Sequence, residues 1–434
     1  MLTGIKEAIN RIDALGNSKP LKVIGHFDTD GITSSAIFSR AMNRWGKKFS
    51  LEIVKGLEES FIDSLGEESV LIFLDLASGS LEQLSKKKTE VFIFDHHELT
   101  CEVPKNVFMV NPHLTNEENV CTATICYLFA EELSSQNKDL ANLAVLGMVG
   151  DQHEKNKGKI FERILGLAET VVKKGLLVYP STRPLCRTLE YSSNPYLPGV
   201  SGNRDGVFEV LRDSGISLDR SLYELSEEEM TRLITTLVLK SKGVANQENL
   251  IGNIYLTKFF NKQEDARELS ALVNACSRMG RSDIALAFCL GNKSARKDAE
   301  KIYIEYKQSL MSALKYVSES EKLEGKDYMI INARDNVKDT IIGTVASMIS
   351  HSPLYDEGLV IVALAYNGEK IKVSARLSGR TGRNVREVLA RAIVPIGGEV
   401  GGHPNAAGCL ISKEHEGVFI NELKRILEVE VVRV

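Results

Sequence analysis

Acidic and histidine side chains recur in four short motifs, each placed directly after a hydrophobic segment. The motifs are His26-Phe27-Asp28-Thr29-Asp30-Gly31 after LKVIG, Asp75 after VLIFL, Asp95-His96-His97 after VFIF, and Asp151 after AVLGMVG. In an α/β fold the carboxyl ends of the strands surround one crevice. We therefore expect these side chains to meet there. Together they offer enough ligands for two divalent cations about 3.5–4 Å apart, an arrangement that activates water against a phosphate ester.

The spacing within each motif supports this interpretation. Alternation along an extended segment places His26, Asp28 and Asp30 on the same side. Asp75 at the end of a strand is well placed to bridge the two cations. In Asp95-His96-His97 we expect the carboxylate to orient one imidazole, as metal-bound histidines generally require, and the second imidazole to face the substrate. The motifs predict a metal-dependent phosphoesterase.

The mixture of carboxylates and imidazoles fits manganese best, since magnesium accepts fewer imidazoles and zinc usually has more histidine or thiolate ligands. Each motif also has a simpler explanation. A single Asp after a strand is most often a helix cap, and Asp30-Gly31 is a common turn dipeptide. Four such explanations would all have to hold at once, in the right order along the chain, so the joint pattern favours a metal site.

A second group of candidate residues lies in the C-terminal part. Lys372-Val373-Ser374-Ala375-Arg376 is typical of a strand whose alternate residues share a face, and Arg376 has the geometry to hold a phosphate. The glycine-rich segment 397–408 follows, where backbone amides approach an anion closely. His403 lies on this segment and is a candidate contact to the scissile phosphate. The alternative is a flexible hairpin loop.

The elements that must position these residues follow a βαβ pattern over residues 1–150. We expect strands at Lys22–Gly25, Ser50–Val54, Val70–Leu74, Val91–Phe94 and Val107–Val110, and helices at Gly31–Trp45, Leu81–Lys87 and Thr122–Glu132. Leu140–Val149 fits either a strand or a second helix. In either case Asp151 lies at the end of this element, beside the same crevice.

Long helical patterns dominate the middle of the chain, and strand patterns return after about residue 327. We expect helices at Glu162–Lys174, Glu227–Lys240, Asp265–Cys276 and Ser294–Glu319, and strands at YMIINA, LVIVALAY, IKVSARL and CLIS. Tyr179–Arg220 is rich in Pro, Gly, Ser and Asn, and we expect a connector there. The predicted fold class is α/β. It comprises a parallel-sheet domain at 1–175, a helical connector or inserted region at 176–320, and a smaller α/β domain at 321–434.

Composition excludes little. The 434 residues are 43% hydrophobic and 26% charged, as in ordinary globular proteins, and the net charge of -4 requires any nucleic-acid surface to be local. Seven scattered cysteines with no C-x-x-C pair indicate reduced thiols. We expect a cytoplasmic protein with no membrane partner, since no segment approaches the roughly 18 apolar residues of a membrane helix.

HFDTDG, LDL, DHH and GD, followed downstream by GGHPNAAG, resemble the DHH phosphoesterase superfamily with its DHH-associated C-terminal domain. This resemblance implies a dinuclear manganese site, with magnesium as an alternative metal. The implied metal ligands are His26, Asp28, Asp30, Asp75, His96 and Asp151. The implied catalytic residues are Asp30, Asp75 and His97, and the implied substrate-binding residues are His97, Ser374, Arg376, Gly401, Gly402 and His403. Many family members have Asp in place of His26.

Within the superfamily, the size and the helical middle region are similar to archaeal RecJ-like single-strand exonucleases of the GINS-associated or helicase-associated type. The resemblance implies single-stranded DNA or RNA as substrate, a role in DNA replication or repair, and a replisome (GINS) or helicase partner. A channel for the strand would use basic and aromatic groups, and Arg183, Arg187, Tyr191 and Tyr196 are candidates. The alternatives are a phosphodiesterase for short oligonucleotides or small nucleotides, and a binding protein that has lost catalysis.

Overall fold

The computed structural model describes residues 1–16, 19–115, 117–153, 158–192, 195, 197, 199–240, 250–352, 355–379, 381–398 and 400–428. Tyr196 lies outside the described residues. The chain divides into two compact units. The N-terminal unit comprises Met1–Leu189, Val207–Thr236 and Asn246–Tyr303, and the C-terminal unit comprises Glu190–Gly206, Leu237–Ala245 and Ile304–Val434.

The N-terminal unit is built on a five-stranded parallel sheet. Its strands, named in chain order, are β1 (Leu21–His26), β2 (Phe49–Val54), β3 (Val70–Leu74), β4 (Val91–Phe94) and β5 (Val107–Val110). They lie in the order β2-β1-β3-β4-β5. The chain winds from β1 outwards to β2 and then returns to β3 on the other side. The gap between the carboxyl ends of β1 and β3 is therefore the topological switch point, where α/β proteins commonly bind ligands.

Both faces of this sheet are buried, which explains why β3 and β4 are continuous hydrophobic runs. The first helices are α1 (Leu2–Ala14), α2 (Thr29–Arg44), α3 (Glu59–Ser64), α4 (Leu81–Ser85), α5 (Thr122–Leu133) and α6 (Ala141–Gly150). Side chains of α1, α2, α5 and α6 form one hydrophobic core with the sheet, and those of α3 and α4 form a second. The strand ends that carry the acidic motifs are thus held from both sides.

The chain continues through α7 (Lys159–Leu167), β6 (Val171–Leu176), α8 (Leu185–Glu190), α9 (Arg204–Asp213) and α10 (Glu227–Lys240). Then follow β7 (Ile251–Phe259), β8 (Lys262–Asp265), α11 (Ala266–Arg278), α12 (Ser282–Cys289) and α13 (Lys293–Glu319). Strands β6, β7 and β8 form a small antiparallel sheet. Residues of α11 and α12 join the core of the N-terminal unit.

The C-terminal unit contains a six-stranded mixed sheet in the order β13-β14-β12-β11-β10-β9. Its elements are β9 (Leu323–Glu324), β10 (Tyr328–Asn332), α14 (Asp339–Ser350), β11 (Val360–Asn367), β12 (Lys370–Leu377), α15 (Val385–Ala392), β13 (Val400–His403), β14 (Ala406–Ser412) and α16 (Glu416–Glu428). Helices α15 and α16 share a hydrophobic core with one face of the sheet. The α/β fold class, with a parallel N-terminal sheet, a helical middle region and a mixed C-terminal sheet, is confirmed.

Three element predictions need correction. The segment before Asp151 is the helix α6, so its reading as a strand is wrong. Glu162–Lys174 is not one helix, because α7 ends at Leu167 and β6 begins at Val171. The strands β7, β8, β9 and β13 were not predicted, nor were the helices α8 and α9 within the predicted connector. Among the described residues, no helix is both long and apolar enough to cross a membrane.

Candidate metal centre

The first motif forms the tight turn between the end of β1 at His26 and the start of α2 at Thr29. Asp28 is the N-cap of α2, and its Oδ1 accepts a hydrogen bond from the Gly31 amide at 2.9 Å. A side chain added at Gly31 would come within 2.4 Å of the His26 carbonyl oxygen, so only glycine fits this turn. The capping bond leaves the other oxygen, Oδ2, 3.2 Å from His26 Nδ1. The local turn therefore brings the two side chains together at the end of β1.

Asp75 lies on the other side of the switch point, immediately after β3. Its φ of 64° is unusual for a residue other than glycine, and its side chain is only 1% exposed. Such backbone conformations persist where the surrounding structure enforces them, often at functional sites. Its two oxygens face in different directions: Oδ2 lies 3.3 Å from His26 Nδ1, and Oδ1 lies 3.5 Å from His96 Nε2.

His96, after β4, is the meeting point of a second set of donors. Its Nε2 lies 3.6 Å from Asp151 Oδ2 and 3.9 Å from Asp30 Oδ2. Asp151 is the C-cap residue of α6 and therefore reaches this place from a helix end. Groups of donor atoms within 4.8 Å of one another include His26, Asp28 and Asp75 in one case and His96, Asp151 and His153 in another.

Asp30 is held from beneath by the N-terminus of α5. Its Oδ2 accepts a hydrogen bond from the Thr122 amide at 2.8 Å, and its Oδ1 accepts one from the Ala123 amide at 2.9 Å. The Thr122 hydroxyl also donates to Asp75 Oδ1 at 3.0 Å. One residue thus fixes two predicted metal ligands, in a place where the helix dipole favours negative charge. Sequence reasoning missed Thr122, whose role depends on a contact 92 residues away.

The Asp95 carboxylate orients His97 and not, as predicted, the metal-facing imidazole. Asp95 Oδ1 lies 2.7 Å from His97 Nδ1, whereas His96 reaches Asp95 only through its backbone amide. The Ser78 hydroxyl and amide donate to Asp95 Oδ2 at 2.6 and 3.0 Å. The His97 side chain is 52% exposed, and its contact with the substrate stays a prediction.

These contacts shift the acid–base properties of the site. Burial and the nearby carboxylates of Asp28 and Asp30 raise the pKa of Asp75 well above its usual value. Burial opposes ionisation of Asp95, but its hydrogen bonds with His97 and Ser78 outweigh this and lower its pKa to about 2. Burial lowers the pKa of His97, but the bond to Asp95 prevails and the pKa is raised.

The charge balance fits divalent cations. Asp28, Asp30, Asp75 and Asp151 converge here, and within the part of the chain that the structure describes only histidines form ion pairs with them. Buried carboxylates in such proximity repel one another unless a positive charge compensates them. Carboxylate and imidazole donors suit manganese, and magnesium through the carboxylates.

His153 is a further histidine of this centre that sequence reasoning missed. Its Nε2 lies 2.9 Å from Asp151 Oδ2, and its ring is 5.5 Å from the His96 ring. The signal was present in the sequence as a histidine two residues after Asp151, which itself follows the hydrophobic segment AVLGMVG.

In the C-terminal unit, four of the five predicted substrate residues lie on one face of the sheet: Ser374, Arg376, Gly401 and His403. Arg376 of β12 is opposite Ala406 of β14, which is opposite His403 of β13, and cross-strand partners point to the same side. Ser374 is similarly in register with Gly408 and Gly401. We call these residues the glycine-rich face. Gly402 is in register with the core residue Ala407 and therefore lies on the other side of β13. The glycine-rich face lies opposite the core formed with α15 and α16, because its residues alternate with the buried Val373 and Ala375.

The glycine-rich segment is an ordered hairpin. The predicted loop around His403 is instead the strand pair β13 and β14, and His403 is the exposed last residue of β13. Gly402 has a φ of 113°, and a side chain there would come within 2.4 Å of the Ala406 carbonyl oxygen. Arg376 is anchored by a bond from its Nε to the Ser347 hydroxyl of α14 at 2.8 Å. The structure therefore places an arginine of β12 and a histidine of β13 on the two sides of β14, whose residues between them are small.

Three family models match the chain. The DHH family N-terminal domain matches residues 21–148, the DHH-CID domain matches residues 179–251, and the DHHA1 domain matches residues 326–429. The first covers the sheet and all predicted metal ligands except Asp151. The third covers the glycine-rich face. The second covers the stretch in which the sequence alone indicated only a connector.

Two relatives extend these matches. An uncharacterised protein of Methanocaldococcus jannaschii is 28% identical, over 94% of this chain and 93% of that protein. The single-stranded-DNA-specific exonuclease RecJ of Bacillus subtilis is 23% identical over 95% of this chain, which spans only 46% of the length of RecJ.

Solved structures show the same fold. Exonuclease RecJ bound to manganese has a TM-score of 0.62 at 17% identity, covering 98% of this chain and 95% of that chain. CDC45 from Entamoeba histolytica has a TM-score of 0.68 at 14% identity, covering 99% of both chains. The family models span both units, and the motif order HFDTDG, LDL, DHH and GD is complete. The chain therefore contains a DHH family N-terminal domain, a DHH-CID domain and a DHHA1 domain, and this combination supports a metal-dependent phosphodiesterase.

Proposed function

We propose that this protein is a manganese-dependent exonuclease that removes nucleotides from single-stranded DNA or RNA, in DNA replication or repair. The observation that carries the proposal is the orientation of Asp75. Its two carboxylate oxygens face separate donor sets, one containing His26 and Asp28 and the other containing His96 and Asp151. A carboxylate in this position is suited to bridge two cations, as two-metal hydrolysis requires.

The predicted ligands would hold the two cations as follows. His26 and Asp28 would bind one, Asp30, His96 and Asp151 would bind the other, and Asp75 would contact both. Bound there, the cations would lower the pKa of a bound water and neutralise charge on the phosphate. Magnesium is the alternative metal.

The remaining residues would contact the substrate or position the metal ligands. His97 is exposed and held by Asp95, and in its protonated form it would donate a hydrogen bond to a phosphate oxygen or to the leaving group. Thr122 holds Asp30 and Asp75 in place through its amide and hydroxyl. We propose that Arg376 and His403 bind substrate phosphate and that Ser374, Gly401 and Gly402 line its path, because guanidinium groups and glycine backbones suit anions.

The exonuclease proposal draws on the similarity to RecJ over nearly the whole chain. The alternative is a phosphodiesterase for short oligonucleotides or small nucleotides. The match spans only 46% of the length of the Bacillus subtilis RecJ, so the activity of that exonuclease is carried over here as a proposal. A replisome component such as GINS, or a helicase, is the protein partner we propose, in view of the shared fold with CDC45.

We assign this activity to the cytoplasm. All seven cysteines lie among the described residues and none forms a disulfide, which is consistent with a reducing compartment.

A time course tests the proposal. Single-stranded DNA and RNA, labelled at either end, are incubated with the protein and manganese, with a dinucleotide in parallel and Asp75→Asn as the inactive control. Stepwise shortening of the long strands is expected, and the labelled end that disappears first gives the polarity. Cleavage confined to the dinucleotide would establish the short-substrate alternative. No cleavage of any of these substrates would contradict both.

A further inference from the structure

His153 occupies a position that the family motifs do not explain. It follows α6 closely, in the turn that begins with the helix cap Asp151 and passes through Gln152, whose φ is 57°. The imidazole is 9% exposed, so it points inwards from this turn. A buried histidine needs partners for its ring nitrogens, and those partners show what it is placed to do.

The partners of His153 resemble those of a metal ligand. Nε2 lies 2.9 Å from Asp151 Oδ2, and the ring also hydrogen-bonds to the backbone of Asn119. Metal-bound histidines generally present one nitrogen to the cation and fix the ring by a hydrogen bond to a carbonyl or carboxylate from the other. The ring meets that of His96 edge to face, at a centroid distance of 5.5 Å.

Donor atoms of His96, Asp151 and His153 lie within 4.8 Å of one another. Asp151 Oδ2 is the common neighbour of both imidazoles, at 2.9 Å from His153 and 3.6 Å from His96. Two imidazoles that converge on one carboxylate oxygen in this way define a space with three donors around it. The set that contains His26, by contrast, has one imidazole with the carboxylates of Asp28 and Asp75.

We propose that His153 is a direct ligand of the cation held by His96 and Asp151. This inference rests on the proposed two-metal function and adds a ligand to it. The two metal positions then differ chemically, since one has two imidazoles and the other has one. Nitrogen-rich sites favour manganese and later transition metals over magnesium. His153 therefore makes the second position selective for manganese, while the first remains able to accept magnesium.

The test compares the full-length protein with His153→Phe and His153→Gln. Phenylalanine keeps a ring of similar size, and glutamine keeps a polar contact with Asp151, but neither supplies an imidazole nitrogen. Manganese affinity and stoichiometry are measured by titration, and histidine nitrogens coupled to the bound manganese are counted by pulsed electron paramagnetic resonance. His415→Ala, at an exposed histidine of the C-terminal unit, is the matched control.

The expected result is that both variants bind the second manganese at least about tenfold more weakly, lose one coupled nitrogen, and discriminate less between manganese and magnesium. The control behaves as the wild type. If either variant folds and keeps the wild-type number of coupled nitrogens and the wild-type affinity, His153 is not a ligand, and only this inference fails. If the wild-type protein binds no manganese, the proposed function fails with it.

Discussion

The metal centre and the glycine-rich face are built in opposite ways. In the metal centre, Asp30 and Asp75 are 2% and 1% exposed, and protein hydrogen bonds fix their oxygens. On the glycine-rich face, His403 is exposed and its surroundings are glycine and alanine. A preorganised site costs no reorganisation during reaction. Ser374 of the glycine-rich face is covered by α14 and is 3% exposed, whereas the glycines of β13 are exposed and leave room for a substrate against the backbone. The difference agrees with the proposal that the metal centre performs the chemistry and the glycine-rich face binds the substrate.

The largest effect is expected from Asp75→Asn. The substitution keeps the size of the side chain but removes the charge through which both cations would be bound. A loss of several kcal/mol of transition-state stabilisation corresponds to a decrease in kcat of about 10³-fold or more. The rate of nucleotide release in manganese measures it, and circular dichroism checks that the fold is intact. Retention of more than a tenth of the activity would remove the bridging role.

Arg376→Ala tests whether the glycine-rich face binds the substrate. Loss of a charged hydrogen bond to phosphate is worth about 1.5–3 kcal/mol, so we expect KM to rise about 10–100-fold. Manganese binding should not change, because the metal centre is built entirely from the N-terminal unit. The control is Arg425→Ala, which removes an exposed arginine of the C-terminal unit, the unit that contains Arg376.

His403→Ala should raise KM less, by about tenfold or below, because a single exposed imidazole contributes one hydrogen bond. Steady-state kinetics with a single-stranded substrate, run alongside a manganese titration, measures both effects. A variant that lost manganese instead of substrate affinity would show that the face supports the metal centre and does not bind the strand.

Substitutions of Thr122 test whether its hydroxyl positions a metal ligand. Thr122→Val removes the hydroxyl that donates to Asp75 but leaves the backbone amide that holds Asp30. Residues that orient metal ligands typically change affinity by about 10–100-fold, and we expect the lower end because one of two contacts remains. Thr122→Ser should restore wild-type affinity in a manganese titration.

Thr124→Val is the matched control, since this buried threonine of the same helix contacts Cys121 and none of the predicted metal ligands. Equal losses in the two valine variants would mean that helix packing, and not ligand positioning, sets the affinity.

The smallest effect concerns stability without metal. Asp75 lies among other carboxylates, so Asp75→Asn relieves repulsion in the metal-free protein. In chelator, Tm should rise, by about 2–4 °C for each kcal/mol of repulsion removed. In manganese the order reverses, because only the wild type gains stability from bound cations. Thermal unfolding under both conditions checks this, and a variant less stable in chelator would indicate that the carboxylate supports the fold.

Much of the fold was predictable because its strands are simple hydrophobic runs. β3, β4 and β5 begin and end where the pattern predicted, since buried parallel strands have no polar face to blur them. The apolar segment Ala141–Gly150 was ambiguous for the same reason: a helix buried all round loses its periodicity. β6 was missed because a helical pattern ran into Val171 without a clear stop signal.

The candidate site was predictable where a residue type at a strand end was sufficient, as for Asp28, Asp75 and His96. It was not predictable where a contact crosses the fold. The roles of Thr122 and of the Asp95–His97 pair depend on how α5 and the end of β4 meet the other elements. His153 was overlooked because the turn after α6 has no periodic signal.

The most direct test of the central claim is an anomalous diffraction measurement at the manganese edge on crystals of the full-length protein grown with manganese. Two peaks are expected, one on each side of the Asp75 carboxylate, with His26 beside one and His96 beside the other. A single peak, or two peaks that Asp75 does not separate, would contradict that claim.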